Sequence, residues 1–229
     1  CQHLGFLRIR AGWIPEMKRL FDIIISAGAL LVFAPVLLTI ALMIRCVMGR
    51  PVLFVQPRPG KGGRVFHLMK FRTMSTALER DPETSDGLPQ VTRLGKILRR
   101  TSLDELPQLW NVLRGEMSLI GPRPLLVEYL PLYTPEQARR HDVRPGLTGW
   151  AQVNGRNAIT WEQKFAYDIW YVDNRSLALD ARILCLTLKC LFKQHDVNAN
   201  AETTMPKFTG KEIKSVSYTH LRAHETSLH

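Results

Sequence analysis

The sequence predicts an α+β, mostly helical protein: a re-entrant membrane helix broken at Pro35, joined to a small cytosolic domain with a short antiparallel β element. Three observations predict it. Residues 23–44 carry no charge, and their only polar side chains are Ser26 and Thr39. Two β-rich runs, residues 52–56 and 65–73, flank the loop sequence PRPGKGG. Most of the remaining chain shows helical periodicity.

The uncharged stretch comes first. At about 1.5 Å per residue it would reach roughly 33 Å, enough for a bilayer. A buried core helix is the other reading, and unbroken apolarity over this length argues against it. No small-residue cleavage site follows, so a signal peptide fits worse. Pro35 removes a backbone hydrogen bond near the middle. Lys18 and Arg19 flank one end, and Arg45 and Arg50 the other, so the positive-inside rule selects no orientation. A kinked helix that dips in and returns satisfies both observations and is favoured over a spanning one.

The soluble elements follow in order. The two β-rich runs read as a hairpin with a glycine-rich loop. That loop lacks the spacing of a nucleotide-binding P-loop. Residues 76–90 are polar and contain Pro82, Gly87 and Pro89, which predicts a mobile loop. Helices are expected over residues 92–100 and 105–113, with a turn at Gly121-Pro122-Arg123-Pro124. A short polar helix is expected over 135–141. Over 161–172 an amphipathic helix would place Trp161, Phe165, Ile169 and Val172 on one face, and over 177–192 a helix would pack on two sides. The implied organisation is a non-native leader (1–16), the re-entrant helix (17–50), a cytosolic domain (51–210) and a foreign or disordered tail (211–229).

Composition narrows the function. The chain carries 31 Lys and Arg against 20 Asp and Glu, so a surface must use the excess. Residues 45–72 hold seven Lys or Arg and no acid, which beside a membrane segment suits anionic lipid or a phosphorylated substrate. A merely solvated face is the plainer alternative. Nucleic acid is the weaker partner, because no aromatic-basic interleaving or helix-turn-helix pattern accompanies the charge. The four cysteines form no CxxC pair, which argues against zinc and a disulfide scaffold and for a reducing compartment.

Arg99-Arg100-Thr101-Ser102-Leu103-Asp104-Glu105-Leu106-Pro107 is the most informative segment. Ser102 and Glu105 have the spacing of a capping box. Pro107 argues instead for Asp104 as the cap, because proline then falls where no N–H is needed. Capping accounts for one carboxylate and only partly for two. The second reading is phosphoryl chemistry: an Asp carboxylate can attack phosphorus, with Arg99 and Arg100 nearby to hold the phosphate. Mg²⁺ would offset the repulsion between carboxylate and phosphate. Arg123, Arg144 and Arg156 sit at proline- or glycine-bounded turns, where rigid mounting suits bidentate phosphate binding. His141 beside Asp142 reads either as a general base or as a surface histidine at a helix end, the latter being favoured.

The succession MKRLFDI, a proline-centred apolar segment, KFRTM, LDELPQLWNVL, GEMSLIGPRPLL and VRPGLTGWAQVNGR resembles the bacterial sugar transferase family, the monotopic phosphoglycosyl transferases. The resemblance covers residues 17–210. It implies transfer of a sugar-1-phosphate from a UDP-sugar to polyprenyl phosphate on the cytoplasmic face of the bacterial inner membrane, with release of UMP. It places the family's dyad on Asp104 and Glu105, with Asp104 as nucleophile and Mg²⁺ ligand and a phospho-sugar carried on it. Phosphate-binding positions fall on Arg99, Arg123 and Arg156, with Lys70 a weaker candidate of structural character. The family's Ser-Pro helix break falls on Ala34-Pro35, which keeps the proline and loses the hydroxyl. LVEYLP, HDVRPG and ETTMPKFTG are most similar to short members acting on an N-acetylated amino sugar, diacetylbacillosamine. The alternatives are a UDP-glucose or UDP-galactose donor, a lipid-phosphate hydrolase using the same dyad, or a non-enzymatic basic module docked on anionic lipid.

Overall fold

The computed structural model describes residues 3–75, 90–155, 159–193 and 207–210, with side chains from Glu16 to Cys190 and again from Lys207. Residues 76–89 of the expected polar loop, Arg156 and the 211–229 tail lie outside the described residues.

The chain opens with α1 (His3–Met48), which runs back through the stretch read as a separate leader. It is helical on both sides of Pro35 and is continuous through it. Proline removes a single N–H, and among apolar surroundings a helix is the way to satisfy the other backbone groups. The Thr39 hydroxyl also donates to the Pro35 carbonyl at 2.8 Å. On either side of Pro35 the helix packs on the folded domain. In the first arm Lys18 Nζ lies 2.5 Å from Asp180, and Asp22 accepts the Leu119 N–H at 3.1 Å. Arg19 donates to the carbonyls of Val112 and Leu113 at 2.6 and 2.9 Å. In the second arm Ile40, Ile44 and Met48 are buried with Phe71 and Leu98. Between the arms, residues 31–36 are all exposed, although most are large and apolar.

The predicted hairpin is present as β1 (Leu53–Pro59) and β2 (Val65–Phe71), antiparallel with Phe54 opposite Lys70 and Arg58 opposite Phe66. Next comes α2 (Arg93–Thr101), where Thr92 caps the helix by accepting the Gly95 N–H at 3.0 Å. Gly95 is required here, because a Cβ would sit 2.0 Å from the Thr73 carbonyl oxygen. A short helix α3 (Gln108–Leu113) lies against the first arm of α1.

A parallel pair, β3 (Ser118–Ile120) and β4 (Gly146–Thr148), is absent from the sequence-based reading. The remaining helices are α4 (Pro135–Ala138), α5 (Trp150–Asn154), α6 (Trp161–Asn174) and α7 (Leu177–Lys193). The amphipathic prediction for α6 holds, with Phe165, Ile169 and Val172 buried. The main core joins β2, α3, β3 and α7 through Leu68, Val112, Met117, Ile120 and Ile183. Tyr171 of α6 ties it together, its hydroxyl donating to Asp180 at 2.7 Å and lying 3.2 Å from Ile120 O.

Candidate active site

The acidic pair is set between two helices by a turn. Ser102 ends α2 at φ 58°, its N–H bonding back to Arg99 O, and Leu103–Glu105 forms a single 3-10 turn. Pro107 directly precedes α3, where its missing N–H costs nothing. The Ser102 side chain makes no cap, as the sequence argument required, but Asp104 is not the helix cap either. The left-handed step at Ser102 and the proline together delay α3 to Gln108, leaving both carboxylates on the intervening turn.

The two carboxylates have opposite surroundings. Glu105 Oε1 accepts from Lys70 Nζ at 2.8 Å, and the Arg123 guanidinium grips both of its oxygens, with Nη1 3.3 Å from Oε2. Burial would raise its pKa, but Arg123 and Lys70 overcome that and hold it at about 2. Arg123 is raised in turn, chiefly by Glu105. Lys70 is lowered, because burial and Arg123 outweigh what Glu105 returns. Arg123 is therefore the stronger partner.

Asp104 is 8% exposed and, among the described residues, forms no ion pair. Burial and the adjacent Glu105 charge raise its pKa, while Lys70 and Arg99 moderate the rise. Arg99 is exposed, with Nε on the Thr73 hydroxyl at 3.0 Å. A fully neutralised carboxylate thus stands beside one whose oxygens no cation of the described residues holds. The family model described as bacterial sugar transferase matches residues 13–194, most of the chain and the dyad with it.

The chain belongs to the bacterial sugar transferase family.

The transferase is 50% identical over 197 residues to the uncharacterized sugar transferase EpsL of Bacillus subtilis, covering 85% of this chain and 96% of that one. It is 44% identical over 185 residues to the UDP-glucose:undecaprenyl-phosphate glucose-1-phosphate transferase of Caulobacter vibrioides, covering 76% and 69%. The similarity to the UDP-N-acetylgalactosamine-undecaprenyl-phosphate N-acetylgalactosaminephosphotransferase of Aeromonas hydrophila is 40% over 183 residues, 76% of this chain and 43% of that protein.

The fold of the transferase gathers Lys70, Arg99 and Arg123 around the dyad, three of the five basic residues expected there. Arg156 lies outside the described residues. Arg144 goes elsewhere: its Nε donates to Gly115 O at 2.9 Å, and it lines a cavity of about 740 Å³ with Lys61, Arg64 and His141 at the hairpin tip. His141 is in contact with Gly60 O through Nδ1, and burial holds its pKa down at about 4. Its ring is part-buried with Nε2 enclosed, which corrects the expected surface position.

Several residues that shape the site left little trace in the sequence. Asn111, fully buried, accepts the Met69 N–H at 3.1 Å and donates to His67 O at 2.8 Å, which fixes the strand carrying Lys70. Arg140 and Asp168 form an ion pair at 2.7 Å with side chains 1% and 2% exposed. Arg140 also donates to the Arg123 carbonyl at 2.8 Å, so this pair holds the backbone from which Arg123 reaches Glu105. The sequence separation of 28 between Arg140 and Asp168 leaves no local pattern. A buried polar spacing on α6 was the one available signal for Asp168.

Proposed function

We propose that this transferase moves a sugar-1-phosphate from a UDP-sugar to polyprenyl phosphate and releases UMP, with Asp104 as the nucleophile. The carrying observation is the asymmetry of the dyad: Glu105 is consumed by Lys70 and Arg123, and Asp104 is not. The relatives' names supply the substrate classes, uridine-linked sugars and undecaprenyl phosphate.

In the first step an Asp104 carboxylate oxygen attacks the phosphorus that bears the sugar. The bond from that phosphorus to the bridging oxygen breaks, and UMP departs with the electron pair. A phosphate monoester has a second pKa of about 6, so UMP leaves as its dianion without a proton donor. An ionised Glu105 agrees with this, its role being to fix Arg123 and Lys70 where the phosphates lie. In the second step an oxygen of polyprenyl phosphate attacks the same phosphorus, and the Asp104–phosphorus bond breaks to restore the carboxylate. The acceptor is a dianion too, so this step needs no base.

The described residues hold no group of three or more His, Cys, Asp or Glu side chains that could cage a metal. One unpaired carboxylate nevertheless fits Mg²⁺, which is commonly held by one or two carboxylates together with substrate phosphates. Asp104 would be its protein ligand. When bound, Mg²⁺ supplies positive charge that offsets the carboxylate–phosphate repulsion.

The donor proposed on sequence grounds, an N-acetylated amino sugar, has the N-acetylgalactosamine relative in its favour, while the Caulobacter relative favours glucose. A panel of UDP-sugars with polyprenyl phosphate, scored for UMP and lipid-linked product, separates them. Product from none of them would overturn the proposed reaction.

For the membrane we propose a monotopic arrangement on the cytoplasmic face. Lys18–Asp180 anchors one arm of α1 and Ile44 the other, both to the same folded body, with exposed residues 31–36 between them entering the leaflet. A helix crossing fully would carry its ends to opposite sides, which these shared attachments oppose.

A further inference from the structure

Arg58 sits on the core-facing side of β1, between Gln56 and the Gly121–Pro124 turn. It is half-buried, and its Nη2 donates to Gln56 Oε1 at 2.7 Å. Its Nη1 reaches only to 3.5 Å from the Pro124 carbonyl, and Nε is buried without a partner. Among the described residues no carboxylate pairs with it. The charge that it faces is a like one: burial and then Arg123 both lower its pKa. A desolvated guanidinium without a counter-ion, beside a second guanidinium, is costly in the free protein.

An incoming anion would remove that cost. Arg123 is already committed to Glu105, whereas Arg58 adds a positive charge next to Arg123 and has no carboxylate of its own among the described residues. Resting on the reaction proposed above, we infer that Arg58 binds the diphosphate of the UDP-sugar donor, using the planar donors left unpaired beside Arg123.

The inference carries an opposed pair of consequences. Removing the charge relieves the unliganded protein and weakens the donor complex, whereas a merely structural arginine would lose both. The experiment compares the detergent-solubilised wild type, Arg58→Gln and Arg58→Lys. It measures UDP affinity by calorimetry, unfolding temperature without ligand, and KM for donor and for polyprenyl phosphate. The expected result for Arg58→Gln is UDP affinity and donor KM worsened about tenfold or more, carrier KM unchanged, and an unfolding temperature equal to or above wild type. Arg58→Lys should recover part of the affinity. Unchanged UDP affinity, a fall in unfolding temperature with Arg58→Gln, or a shift confined to the carrier KM would each overturn it. Wild type releasing UMP while Arg58→Gln leaves donor KM unmoved defeats this inference alone. Wild type releasing none defeats the reaction beneath it.

Discussion

Replacing Glu105 with Gln separates its electrostatic role from any role in proton transfer. The structure lowers the Glu105 pKa from 4.5 to about 2, and its side chain is only 20% exposed. At about 1.4 kcal/mol per pKa unit, this is roughly 3 kcal/mol of preference for the charged form. A glutamine keeps hydrogen-bonding capacity, so part survives, and the expected loss of stability at pH 7 is about 1–3 kcal/mol. The folded protein binds this proton less readily than the unfolded chain. The stabilisation is therefore complete above pH about 4.5 and lost as pH falls toward about 2, where variant and wild type should converge. Activity carries a second signature. The Glu105 charge helps to raise the Asp104 pKa, so its removal moves the acid limb of UMP release to lower pH. Single-turnover UMP release without acceptor, followed from pH 4 to pH 8, reads that limb, with a rate lower by roughly 10²-fold as Lys70 and Arg123 lose their anchor. A limb that stays in place or moves upward, with stability unchanged, would refute this reasoning.

Three further outcomes follow from the same geometry. Asp104→Asn should abolish turnover and leave the unfolding temperature equal or higher, because burial and Glu105 disfavour the charge being removed; a marked loss of stability would show Asp104 to be structural. Asp168→Asn strands the buried Arg140 charge and should cost about 3–5 kcal/mol in chemical denaturation, with donor KM raised through the Arg123 backbone; a cost under about 1 kcal/mol would contradict the role assigned to this pair. Cysteines placed singly at Glu16 and Arg45, with the native cysteines replaced, should both react with an impermeant thiol reagent only in inside-out vesicles, and labelling from opposite faces would exclude the monotopic arrangement.

What could be read from the chain follows the range of each interaction. The hairpin and the buried face of α6 are local patterns of period two and 3.6, and both are present. The acidic pair was legible because two adjacent carboxylates next to a proline exceed what capping requires. Its turn was less so: sequence arguments located the start of α3 three residues early, since the left-handed Ser102 announces itself by no glycine. Strands β3 and β4 are three residues each and pair across 28 residues, too short for alternation to show. Gly146 marks that pairing only in retrospect, where a Cβ would meet the Gly121 nitrogen at 2.1 Å. Turn-mounted arginines look alike in sequence, yet Arg123 meets Glu105 and Arg144 meets the Gly115 carbonyl. Which of them reaches the dyad is decided by long-range packing such as Arg140 on the Arg123 carbonyl.

Intact-protein mass spectrometry tests the central claim most directly. Solubilised transferase would be mixed with Mg²⁺ and each UDP-sugar, without acceptor, beside Asp104→Asn. A mass increment of one phospho-sugar, matched by UMP and absent from the variant, is the predicted result, and adding polyprenyl phosphate should discharge it. UMP that forms only once polyprenyl phosphate is present, with no increment at any time, would mean direct transfer and remove Asp104 from the nucleophile's role.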